Sequence, residues 1–198
     1  MTTMEATRGD VAQALRRVEA VLQRRPEAGL HDDAPATSRW RSGTQTVASH
    51  ANGTQILSDM PSEFGGGGAH VTPGWLLRAG VASCTTTCIA MHAALQGIAL
   101  DSLEVEVGSR TDSRGLLGIA DTDGTPVSAG PCEMRLQVRI AAHGVPAQTL
   151  RALVEHSYAC SPMGCAMRES VPVDLLIDVR TDVHTDVRTD VRTDEKEA

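Results

Sequence analysis

Three features of the sequence predict an α+β chain with mainly antiparallel sheet. Short runs alternate apolar and polar residues, as half-buried strands do. Two helical patterns stand between them, one of them long. The strands are not interleaved with helices one by one, so a doubly wound fold is excluded. With 198 residues the chain can hold one domain with appendages and bury a sizeable core.

The elements follow in order. Val11, Leu15, Val18, Val21 and Leu22 recur at helical spacing, with Gly9-Asp10 as a start and Pro26 as a stop. Residues 27–37 read as a linker. Two strands are expected at 38–50 and 54–58, separated by the turn signal Asn52-Gly53. Gly65–Gly68 forms a flexible loop that lacks the lysine and hydroxyl spacing of a P-loop. Thr72 is then an N-cap and Pro73 a first helical residue. The following run, from Trp75 to Leu95, is apolar nearly all round and is expected to be a buried helix closed at Gly97. Leu103, Val105 and Val107 alternate with Glu104 and Glu106 in a strand over 101–110. Met134, Leu136, Val138 and Ile140 do the same over 133–142. A second helix runs from Pro146 to Ser161-Pro162, because the residue before proline avoids helical geometry. Residues 163–169 make one short helical turn, and Val171, Val173, Leu175 and Ile177 mark a last strand. The domain is set at 38–180, after a helical extension and linker over 1–37. The repeat of Asp-Val-Arg/His-Thr units closes the chain in a low-complexity tail over 181–198.

Composition narrows the function. Aromatic residues are only 2% of the chain, too few for a binder that stacks bases. A net charge of −7 without a basic stripe disfavours nucleic acid and anionic membranes as partners. No apolar run reaches bilayer length and no apolar signal segment opens the chain, so a cytoplasmic location is expected. The 5 cysteines are odd in number, which argues against a structural disulfide framework.

The thiols therefore carry the chemistry. Cys84 lies midway along the long helix and Cys160 at the end of the second. Two thiols on separate helices suit a redox cycle: one attacks a peroxide and becomes a sulfenic acid, the other condenses with it. An attacking thiol is normally activated by a nearby cation. All but one of the 18 basic residues are arginine, so the count selects none. Position favours Arg39, Arg41 and Arg78. Cys88, Cys132 and Cys165 read as packing residues. Cys84, Cys88 and His92 cannot share one ion, because the first and last stand about 12 Å apart along a helix. A site drawing on two of them with Cys160 or Cys165 stays open. No metal ligand set and no cofactor are assigned. Neither a CxxC nor a GxSxG motif occurs.

Several stretches together resemble the OsmC/Ohr family. They are Ser58-Asp59-Met60-Pro61, the glycine loop, Thr72-Pro73, Leu76 through Cys84-Thr85, Leu100 through Val107, Arg114 through Gly118, and Ser161-Pro162 through Val173. The resemblance implies an intertwined homodimer with antiparallel sheets around two long central helices. It implies a thiol peroxidase for organic hydroperoxides, with Cys84 as the attacking residue, an arginine from the N-terminal strands beside it, and a thiol reductant such as a lipoyl protein. Two positions depart from the family's peroxidases. Gly74 replaces a glutamate after the helix-opening proline, and Ser161, not cysteine, directly precedes Pro162. A non-catalytic small-molecule binder or redox sensor on the same fold is therefore the alternative.

Overall fold

The computed structural model describes residues 8–169 and 171–179, so the expected tail at 181–198 lies outside the described residues. Helix α1 (Arg8–Arg24) stops where Pro26 opens a short 3-10 turn. Strands β1 (Thr37–Ser42), β2 (Gln45–Ser49) and β3 (Gln55–Ser58) form an antiparallel three-stranded sheet in that order. The run expected as one strand over 38–50 is thus two. Gly43, at φ 51°, takes the left-handed conformation that folds the chain back between them.

Helix α2 (Pro73–Leu95) begins as its sequence predicts. Thr72 Oγ1 accepts the amide of Trp75, and Pro73 sits where no amide proton is needed. Gly97, at φ 71°, closes the last turn. Strands β4 (Ser102–Thr111) and β5 (Pro131–Ala141) pair antiparallel in a long two-stranded sheet. The loop between them holds a single helical turn, α3 (Ser113–Leu116). Helices α4 (Ala147–Ala159) and α5 (Pro162–Arg168) follow.

Helix α2 is the hub, packing against β4, α1, α4 and α5. Ile89 and Ala93 of α2 meet Ile98 and the α4 residues Leu150 and Leu153. Leu103, Val105, Val138 and Ile140 cover that cluster from the inward face of the β4–β5 sheet. Each fully buried Leu or Ile contributes about 1.5–3 kcal/mol. The outward face carries Glu104, Glu106 and Arg139 in exposed ion pairs, which add little.

Two expectations are corrected. Helix α2 is not buried all round in the single chain: Val81, Thr85, Ile89, Ala93 and Ala94 are buried, whereas Gly80, Ser83, Thr87 and Ala90 are exposed. The last strand expected at Val171–Ile177 is not formed: among the described residues this segment joins neither sheet. Its apolar residues stand in solvent, with Leu175 at 82% and Leu176 at 91% exposure.

Candidate active site

The site is built by the break between α4 and α5. Pro162 forces Ser161 into an extended conformation (φ −74°, ψ 121°), which ends α4 and makes Ser161 the N-cap of α5. The Ser161 hydroxyl accepts the Gly164 amide at 3.3 Å. Its proton is then free to point elsewhere, and Ser161 Oγ donates to Cys84 Sγ at 3.3 Å. Ser161 is wholly buried and Cys84 half-buried. Gly164 is required in this turn, since a Cβ there would stand 2.9 Å from the Tyr158 carbonyl oxygen. Arg168 clamps the turn from outside. It donates to the carbonyl oxygens of Tyr158 and Ala159 and to Cys165 Sγ, and it stacks 5.0 Å over the Tyr158 ring. A guanidinium on the last carbonyls of a helix satisfies acceptors that the helix cannot.

The other predicted residues are placed differently. Cys160 is the residue that ends α4, and its exposed sulfur lies 3.9 Å from His156 Nε2, not on Cys84. Arg39 and Arg41 are exposed on β1, and neither makes a hydrogen bond or ion pair with Cys84. Arg78 donates to Ser109 Oγ of β4 at 3.1 Å. Cys132 is exposed and donates to the Arg110 carbonyl oxygen. Cys88, one turn after Cys84, has its pKa raised, first by burial and then by the neighbouring Cys84, so it is held as a neutral thiol. The sequence reading missed His156 and Ser157. The signal was the spacing of His156 and Cys160, four residues apart on one helical face.

Asp59 anchors the approach to α2. Wholly buried, it accepts hydrogen bonds from Thr44 Oγ1 (2.6 Å), the Gly67 amide (2.8 Å), the Met60 amide (2.8 Å) and Gln45 Nε2 (3.4 Å). The Thr44 bond is the largest cause of its lowered pKa, which burial opposes. One carboxylate thus ties the glycine loop to the β1–β2 turn.

The architecture matches solved structures of one kind. An OsmC-like protein from Mycoplasma pneumoniae shares 16% identity over 71% of this chain and 91% of that one, with a TM-score of 0.59. An OsmC-like protein of unknown function from Vibrio cholerae shares 13% over 69% and 94%, with a TM-score of 0.56. An organic hydroperoxide resistance protein from Elizabethkingia anophelis shares 19% over 71% and 91%, with a TM-score of 0.54. The family model for OsmC-like proteins matches residues 65–176, more than half of the chain. The chain belongs to the OsmC-like family. No curated protein matches it in sequence. In this OsmC-like chain a Cβ added at Gly74 would lie 3.6 Å from Arg78 Nη1. Among the described residues, no helix is long and apolar enough to cross a membrane.

Proposed function

We propose that this protein is a thiol-dependent peroxidase that reduces organic hydroperoxides through Cys84. The observation that carries the reading is the hydroxyl of Ser161 on the Cys84 sulfur, within a site that leaves Cys84 half-exposed on the hub helix. Family membership supports the same class of chemistry. In the reaction, the Cys84 sulfur attacks one peroxide oxygen, the O–O bond breaks, and the other oxygen leaves as the alcohol after taking a proton. Cys84 is then a sulfenic acid. Cys160 attacks that sulfur once the end of α4 loosens; water leaves and a disulfide forms. A dithiol reductant, such as a lipoyl group on a partner protein, returns both thiols by exchange.

A homodimer belongs to this reading. The exposed face of α2, the apolar segment at 171–177 and the separation of the sheets into three and two strands all fit a second copy of the chain. That copy would also supply the setting in which Arg39 or Arg41 meets a thiol.

The test is turnover of an organic hydroperoxide with a dithiol reductant, alongside intact-mass analysis. Activity that disappears in Cys84→Ser supports the proposal. A Cys84 that remains a free thiol after treatment overturns it. The second reading, a redox sensor or small-molecule binder without turnover, draws on Ser161 standing where the family's peroxidases carry a second cysteine. It predicts one long-lived oxidised Cys84 per chain and no catalytic cycle.

A further inference from the structure

Beside Cys160, two imidazoles converge from two helices. His156 and Cys160 lie four residues apart on α4 and share a face. His92 reaches them from α2, with its ring centroid 4.8 Å from that of His156. One nitrogen from each ring and the Cys160 sulfur lie within 4.8 Å of one another. A tetrahedral ion with bonds of about 2.0–2.3 Å needs its ligands roughly 3.3–3.8 Å apart. The His156–Cys160 pair, at 3.9 Å, is already near that separation.

An independent observation concerns His92. The Ser157 hydroxyl is buried and gives its only proton to the Leu153 carbonyl oxygen at 2.6 Å. Its oxygen can therefore only accept from His92 Nδ1, 3.0 Å away. That bond places the ring proton on Nδ1 and leaves Nε2 with a lone pair. Metal-binding histidines are oriented in this way, by a hydrogen bond from the nitrogen that does not ligate. Both rings line a groove of about 640 Å³ between α1, α2 and α4, through which an ion and a solvent ligand can enter.

From this geometry we propose that His92, His156 and Cys160 form a binding site for a divalent transition metal of the zinc class, with solvent from the groove as fourth ligand. Two imidazoles and a thiolate select zinc, cobalt or nickel over the oxygen-seeking magnesium and calcium. The site is separate from the Cys84–Ser161 contact and does not depend on the peroxidase reading.

Cobalt(II) titration of the reduced, full-length protein tests the site. One equivalent should bind, with a sulfur-to-cobalt charge-transfer band and the intense visible bands of tetrahedral cobalt. Zinc should displace it. Cys160→Ser should abolish the charge-transfer band, and His156→Ala should weaken binding at least about tenfold. Both residues are exposed, so these variants should keep the wild-type circular dichroism. Cys132→Ser and Cys165→Ser should bind as wild type does. No tetrahedral spectrum, or a charge-transfer band that survives undiminished in Cys160→Ser, would overturn the proposal.

Discussion

Replacing Ser161 by cysteine places a second thiol directly on Cys84. The hydroxyl it replaces is 3.3 Å from the Cys84 sulfur. A disulfide needs about 2.05 Å, so the sulfurs must close by about 1.2 Å, and the longer carbon–sulfur bond supplies part of that. In the reduced form the variant is weaker than wild type. It loses the N-cap of α5, worth about 1 kcal/mol, and leaves the Gly164 amide without its partner. Oxidised, it is cross-linked across residues 77 apart in sequence. Closing a loop of that size lowers the unfolded state's entropy by an equivalent of about 4.5 kcal/mol, between the values of about 3 and 4.7 for loops of 15 and 100 residues. The assay is denaturant unfolding of the oxidised and reduced forms of Cys160→Ser/Ser161→Cys, with peptide mapping of the bridge. Oxidised protein should unfold at clearly higher denaturant, and the bridge should join 84 to 161. Equal midpoints, or a bridge to another cysteine, would refute the placement of Ser161 against Cys84.

Three further outcomes follow from the structure. The lowered pKa of Asp59 means that its carboxylate is favoured in the fold, so its contribution is complete above the ordinary value of 3.8. That contribution is lost as the pH falls below 3.8 toward the lower folded value; amide exchange at Gly67 should rise there in wild type and show no such step in Asp59→Asn. In Gly66→Ala the new Cβ would stand 1.8 Å from the Met60 carbonyl oxygen, so the loop must shift. The change should cost about 1–3 kcal/mol or more in chemical denaturation. Cys88→Ser should retain peroxidase turnover within about twofold, because burial keeps that thiol neutral and out of the chemistry; a loss comparable to Cys84→Ser in the same turnover assay would contradict that role.

The long helix and the hairpin strands were legible because their signals are local. Thr72-Pro73 and Gly97 bracket α2 by capping chemistry, and strict alternation marks β4 and β5. The turn at Gly43 was hidden because an isolated glycine in a strand-like run reads as a bulge as readily as a turn. The strand expected at 171–177 failed for a different reason. Alternation shows that a segment can pair, but not which strand it will pair with. The position of Cys84, midway along α2, is legible from the same local signals. The end of α4 before Pro162 is legible too, but the side on which Cys160 emerges is not, because it depends on how α4 packs against α2. A site joining His92 to Cys160 is open in the sequence, but His156 is not legible as its third member, because its closeness to His92 depends on how α2 packs on α4. The partners of His92 lie across the helix packing, on α4.

The α4–α5 break assigns neighbouring residues to opposite sides. Ser161 turns inward to Cys84, and Cys160 turns outward to the imidazole pair. A helical step rotates a side chain by about 100°, so one residue of register is enough to separate two chemistries. The two proposals consequently compete for one sulfur. A Cys160 thiolate held by a metal is not available to attack a Cys84 sulfenic acid, and a Cys84–Cys160 disulfide has no thiolate to bind metal. If both hold, zinc should slow disulfide formation without slowing the first oxidation of Cys84, and hydroperoxide should release bound zinc only when Cys84 is present. Zinc release in Cys84→Ser at the wild-type rate would mean that Cys160 is oxidised directly, and the coupling through the α4–α5 turn would be lost.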